Sequence, residues 1–253
     1  MTNPSSGALD GRVLLFIGGV HKSGTTLLKQ IVSTSGDVSV FEGTGVPCNE
    51  GQYLQNRIKP DIYLGELLFG FSEEAYLTED DSHLLGGVGE DIMRDWQGYW
   101  NHKKRIWVEK SPPNIVRTRF LQHIFPHSKF LMMIRDPRTL FMASRKNMPW
   151  TRAEDFIEHW DRVYTAFIRD AKHLEHARLI AFEELLRAPK QIAGEVAEFL
   201  GTSLTGTDNL VDPSSDDEYK TMWNSFVQQG GMATRSVRLP EWADGFGYET
   251  GTF

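Results

Sequence analysis

The sequence of 253 residues predicts an α/β fold in three layers, a central parallel sheet flanked by helices. Three observations predict it. Short apolar runs of strand length alternate with segments of helical period, the pattern of right-handed βαβ crossovers. The first apolar run ends in Gly18-Gly19 and leads through Ser23-Gly24 straight into a helix. Polar clusters directly follow the early strands, where the carboxyl ends of a parallel sheet hold ligands.

Val13–Ile17 is the first buried strand, and Leu27, Leu28 and Ile31 carry the helical spacing after it. Val38–Phe41 is a short second strand ending at Glu42-Gly43-Thr44-Gly45. Residues 46–104 have the weakest periodicity, with helices expected around 50–58 and 89–101. Asp80-Asp81-Ser82 and glycines 86, 87 and 89 mark turns between them. A loop-rich insert of this kind covers substrate, so it is expected on the acceptor side.

Arg105–Val108 is the third strand. Pro112 and Pro113 stop it, and Pro113 suits the start of a helix running to about Phe125, before Pro126. Lys129–Ile134 is a strongly apolar fourth strand, followed by a helix to about Asn147. Thr151-x-x-Glu154 reads as a capping box for a long amphipathic helix. Its Phe156, Ile157, Trp160, Val163, Tyr164, Phe167 and Ile168 fall on one stripe, which reads as core. Arg178–Phe182 is the fifth strand, and residues 188–200 form a helix closed by Gly201.

The whole chain, 1–253, reads as one domain, with residues 1–11 a disordered lead-in. Residues 203–253 break the rhythm with Asp216-Asp217-Glu218, Gly230-Gly231, Arg235 and Arg238, and read as a C-terminal cover. Hydrophobic content of 40% and charged content of 24% are those of a soluble globular protein. A net charge of −7 argues against nonspecific nucleic-acid binding but leaves room for a local cationic pocket. The single cysteine, Cys48, excludes a disulfide framework and a cysteine metal cluster. Without a secretory pattern at the N-terminus, or an apolar run near the roughly 20 residues that span a bilayer, the expected location is cytoplasmic.

The turn after the first strand suits a phosphate or sulfate, because backbone N–H groups and the helix dipole point at one spot. Gly19 and Gly24 have the separation of a nucleotide P-loop, G-x-x-x-x-G-K-[ST], but Thr25 stands where that lysine would be. The only lysine of the loop is Lys22, two residues before Gly24, so it meets another part of the anion. Four strand ends carry polar clusters: His21-Lys22-Ser23-Gly24-Thr25-Thr26, Glu42, Glu109-Lys110-Ser111 and Arg135-Asp136-Pro137-Arg138. Together they suit an anionic co-substrate with two separated charged groups and a reaction that removes a proton. His83, His102 and His123 are scattered without ligand spacing, so no metal is expected.

These segments resemble sulfotransferases that use 3′-phosphoadenosine 5′-phosphosulfate, most closely the tyrosylprotein-sulfotransferase-like branch and its bacterial relatives. The resemblance rests on Lys22-Ser-Gly-Thr-Thr26 after a strand, Glu109-Lys-Ser-Pro112 and Lys129-Phe-Leu-Met-Met-Ile-Arg-Asp-Pro-Arg138. It continues through Leu179-Ile-Ala-Phe-Glu-Glu-Leu185, Glu198-Phe-Leu-Gly201 and Phe246-Gly-Tyr248. It implies a P-loop-like sandwich, adenosine 3′,5′-bisphosphate as the leaving product and a hydroxyl on a small molecule, glycan or peptide as acceptor. It implies that Lys22, Ser23, Gly24, Thr25 and Thr26 hold the 5′-phosphosulfate, with Lys22 on the bridging oxygen and Lys110 supporting the transition state.

By the same resemblance Arg135 takes the 3′-phosphate and Phe182 offers a face near the adenine. The family's serine partner of that arginine falls at Ala143, with Ser144 one step on, a turn of about 100° around a helix. The base is expected at Glu42, where the family's paired glutamates are reduced to Glu42-Gly43, and His21 is the second candidate. The other readings are a P-loop kinase or NTPase, with Asp136 imitating its metal-holding aspartate, and a non-catalytic nucleotide-binding module. Arg135 beside Asp136 and the displaced lysine oppose the first. The joint presence of Glu42, Lys22 and Lys110 opposes the second, since binding alone needs no base.

Overall fold

A computed structural model describes residues 11–81, 86–231 and 238–251. The expected lead-in, apart from Gly11, together with Ser82, His83 and Arg235, lies outside the described residues. Five parallel strands form one sheet: β1 (Val13–Gly18), β2 (Val38–Val40), β3 (Ile106–Lys110), β4 (Lys129–Ile134) and β5 (Ala177–Ala181). Their order is β2-β3-β1-β4-β5, so the loop after β1 lies at the centre of the carboxyl edge.

Helices cover both faces, as the strand pattern requires. Alternate residues of β1 and β4 point to opposite sides. Leu14, Phe16, Phe130, Met132 and Ile134 face one cluster; Leu15, Ile17, Leu131 and Met133 face the other. The second cluster is closed by α1 (Thr25–Val32) through Leu28, Ile31 and Val32. The first is closed by α2 (Val88–Trp96), α3 (Thr118–Ile124), α4 (Pro137–Ser144) and α5 (Ala153–Asp170). The aromatic stripe of α5 is core, with Phe156, Ile157, Trp160, Val163, Tyr164 and Phe167 buried. The helices α6 (Phe182–Arg187) and α7 (Pro189–Leu200) return to the second face, and Gly201 caps α7 at φ 67°.

The expected helix at 50–58 does not form. Short 3₁₀ turns replace it, because the chain gives its N–H groups to side chains at the end of β3. Gly51 donates to Glu109 Oε1 (2.8 Å) and Gln52 to Ser111 Oγ (3.2 Å). The capping box at Thr151 does not form either: α5 starts after Arg152, with no side-chain cap. Pro113 lies in a 3₁₀ turn, Pro112–Val116, and the helix begins later at Thr118. Among the described residues of 203–253, one further α-helix, α8 (Asp217–Gln228), packs on α4. Its Trp223 indole donates to Gly251 O at 3.0 Å. Among the described residues, no helix is long and apolar enough to cross a membrane.

Candidate active site

Sheet register brings the expected elements together. Ile17 pairs with Lys110 and Gly18 with Met132, so the loop after β1, the end of β3 and Arg135 after β4 share one edge. The loop is a tight cradle. Gly19 (φ 150°) has no room for a Cβ, which would lie 2.5 Å from Met133 O, and at Gly24 (φ 100°) one would meet the Phe182 ring at 2.6 Å. No side chain caps α1, so the N–H groups of its first turn are left for an anion. Ser23 and Thr25 are enclosed beneath the loop, whereas Lys22 and Thr26 are exposed. Lys22 adopts φ 67°, and its side chain has no ion pair among the described residues. The core helix α5 fixes this geometry. Tyr164 OH donates to Met133 O (2.7 Å) and accepts from Val20 N (3.3 Å), and the Trp160 indole donates to Arg135 O (3.0 Å).

Lys110 is buried, and its Nζ pairs with Glu50 of the insert. From there a chain of hydrogen bonds crosses the site. Gln52 Nε2 donates to Glu50 Oε2 (2.7 Å) and to Asp61 Oδ2 (2.9 Å). His21 Nε2 meets the same Asp61 oxygen at 2.9 Å, and Tyr53 OH donates to Asp61 Oδ1 at 2.6 Å. Burial alone would raise the Asp61 carboxyl; the hydrogen bonds from His21 and Tyr53 outweigh it and hold the group below the usual range. Lys29 of α1 borders this chain. Burial, then the charge of Lys110, lowers its ammonium, while Glu50 and Glu42 oppose the shift. Glu42 itself is exposed and makes no hydrogen bond among the described residues.

Arg135 is buried and committed. Its Nε donates to Asp216 Oδ1 (3.0 Å), with Nη2 on the same oxygen, and Nη1 donates to Lys22 O (2.7 Å). The guanidinium lies over Phe182 (4.5 Å) and Tyr219 (5.2 Å). Phe182 thus packs between the loop and Arg135. Asp216 Oδ2 is enclosed without a partner. Ser144 is fully enclosed too, its hydroxyl unpartnered, while Ala143 one step before is half-buried. Asp136 caps α4 by accepting from Arg138 N (2.8 Å), while Arg138 Nε donates to its Oδ1 (3.0 Å) and Nη2 to its Oδ2 (2.7 Å).

A model described as the sulfotransferase family matches residues 15–206, most of the chain. The chain belongs to this family. Protein-tyrosine sulfotransferase 2 of Gallus gallus is 25% identical over 206 residues, 77% of this chain and 52% of that protein. Protein-tyrosine sulfotransferase 1 of Danio rerio is 26% identical over 203 residues, 74% of this chain and 52% of that protein. The chain spans about half the length of these relatives. The sulfotransferase domain of the Synechococcus PCC 7002 olefin synthase is similar in fold, with TM-score 0.52, 17% identity, and coverage of 94% and 95% of the two chains. The sulfotransferase domain from the curacin biosynthetic pathway is equally similar, at TM-score 0.52, 18% identity, and coverage of 94% and 98%.

Several residues that organise this strand edge escape the sequence reading: Glu50, Gln52, Tyr53, Asp61 and Lys29. The only local signal was Lys29 on the loop-facing helix; the others sit in the aperiodic insert. Glu109 is structural, accepting from Gly51, Ser111 and Asn114, and burial raises its carboxyl. The Phe246-Gly-Tyr248 segment also has a structural account. Tyr248 OH donates to Glu183 Oε2 (2.7 Å), and Asp136 N donates to Glu183 Oε1 (2.7 Å).

Burial pushes the Glu183 carboxyl up to about 7, despite these two bonds, from an ordinary 4.5. The folded protein therefore keeps this proton to higher pH than the unfolded chain. Its stabilising effect is full below about 4.5 and is lost as pH rises through 7. Replacing Glu183 by Gln should make the variant's melting temperature rise relative to the parent between pH 5 and pH 8. A constant difference across that range in calorimetry contradicts the assignment.

Proposed function

We propose that this sulfotransferase moves a sulfuryl group from 3′-phosphoadenosine 5′-phosphosulfate to a hydroxyl acceptor by in-line displacement at sulfur. The observation that carries the reading is one sheet edge joining the uncapped helix start, Lys22, buried Lys110 and Arg135. The loop N–H groups hold the 5′-phosphate, and Lys22 and Lys110 balance charge as it moves from sulfur to the leaving oxygen. Arg135 holds the 3′-phosphate, with Asp216 keeping its place when the nucleotide is absent. Phe182, buried between the loop and Arg135, sets the plane of the guanidinium.

The base is better supported at His21 than at Glu42. Enclosed Asp61 fixes the His21 ring through Nε2, which leaves Nδ1 to accept the acceptor's proton. The acceptor oxygen forms the new bond to sulfur, and the bond from sulfur to the phosphate oxygen breaks with its electron pair leaving on adenosine 3′,5′-bisphosphate. A kinase or NTPase reading has less support, because both oxygens of Asp136 accept from Arg138.

Transfer of radiolabelled sulfuryl from the donor to a panel of phenols, sugars, lipids and peptides tests the reading. Transfer without added magnesium is expected, falling about 10²- to 10⁴-fold in a His21→Gln variant. No transfer to any acceptor class, or full activity in that variant, contradicts the corresponding assignment.

A further inference from the structure

The insert lines a half-open cavity of about 1190 Å³, roomier than most small-molecule sites. Two of its wall residues, Gln52 and Tyr53, are bonded directly into the chain between Lys110 and His21. The cavity therefore abuts the reacting centre from the acceptor side.

Its charge is one-sided. Both lining cations are already paired, Arg57 with Asp91 and Lys59 with Glu74. Glu66, Glu73 and Asp81 line it with no cationic partner among the described residues. Among the described residues, Asp81 accepts only from Thr78, through its backbone N–H (2.6 Å) and hydroxyl (3.4 Å). Tyr53, Tyr63 and Tyr76 add aromatic surface, and Tyr63 stands 76% exposed. Uncompensated carboxylates among tyrosine rings attract a cation, by Coulomb attraction and by cation–π contact. They repel an anion.

We propose that this cavity selects an acceptor whose hydroxyl group is accompanied by a protonated amine, and that it rejects acidic acceptors. The inference rests on the sulfotransferase reading for the reaction, but the cavity's charge preference is measurable without it. Tyramine, 4-hydroxyphenylethanol and 4-hydroxyphenylpropionate present one phenol with a positive, neutral or negative tail. Sulfation of tyramine should be the most efficient, with kcat/KM about tenfold above the neutral phenol and the difference carried by KM. Added salt should narrow the gap.

A Glu66→Gln, Glu73→Gln variant should shrink the preference by raising the KM for tyramine toward that of the neutral phenol. Equal or better use of the carboxylate overturns the proposal, as does a preference that the variant leaves intact. If none of the phenols is sulfated, calorimetric titration of tyramine into the protein holding adenosine 3′,5′-bisphosphate decides. Binding that weakens in the variant upholds the cavity's selectivity, and absence of binding at millimolar tyramine overturns it. Failure of the bisphosphate itself to bind would count against the donor reading, and tyramine titrated into the nucleotide-free protein would then decide in the same way.

Discussion

Replacing Lys22 by Ala should lower turnover by about 10²- to 10³-fold, with less than about fivefold change in affinity for adenosine 3′,5′-bisphosphate. The side chain is exposed and has no ion pair among the described residues, so its removal costs little stability. The native backbone at Lys22 has φ 67°, and alanine bears that conformation at about the same cost as lysine. Lys110→Met should reduce turnover by a similar factor, but with a second consequence. Lys110 and Glu50 are both buried, and removing one partner strands the other charge, which costs about 3–5 kcal/mol. The double variant Lys110→Met, Glu50→Gln removes both charges and should recover most of the melting temperature while turnover stays low. Recovery of turnover along with stability would reduce Lys110 to a structural role. Pre-steady-state transfer, read beside thermal unfolding, separates the outcomes.

Arg135→Ala should weaken adenosine 3′,5′-bisphosphate by about 10- to 100-fold, the worth of hydrogen bonds to a charged group, and leave adenosine 5′-monophosphate nearly unchanged. Asp216→Asn should act in the opposite direction. Asp216 now occupies the guanidinium with a single oxygen, and its other oxygen is buried without a partner. A carboxylate so poorly compensated is a weak competitor for a dianionic phosphate. Asparagine keeps the shape without the charge, so the bisphosphate should bind about tenfold tighter, and the free protein should melt lower because Arg135 has lost its counter-charge. Equal effects on both nucleotides would place the 3′-phosphate elsewhere.

The loop, Lys110 and Arg135 were legible because each signal is local: an apolar strand, then a glycine, proline or charged residue that cannot continue it. Parallel pairing then aligns the strand ends, so three separate segments reach one edge without any further information. Glu50 was not legible. Its partner Lys110 lies 60 residues away, and the insert that carries it has no period to reveal which side chains point inward. Asp216 showed only as part of an acidic patch; its partner, Arg135, is 81 residues distant. The Thr151-x-x-Glu154 pattern misled because Glu154 pairs with Arg152 and the helix begins without a side-chain cap. Ser144 illustrates the cost of one residue of register: on α4 that step carries the hydroxyl from a half-buried position into a fully enclosed one.

Isothermal titration of the unmodified protein with adenosine 3′,5′-bisphosphate and with adenosine 5′-monophosphate, in magnesium-free buffer, tests the central claim most directly. The site described here predicts binding of the bisphosphate without metal, at least about tenfold tighter than the monophosphate. Equal affinity for the two nucleotides, or binding that appears only with magnesium, would contradict it.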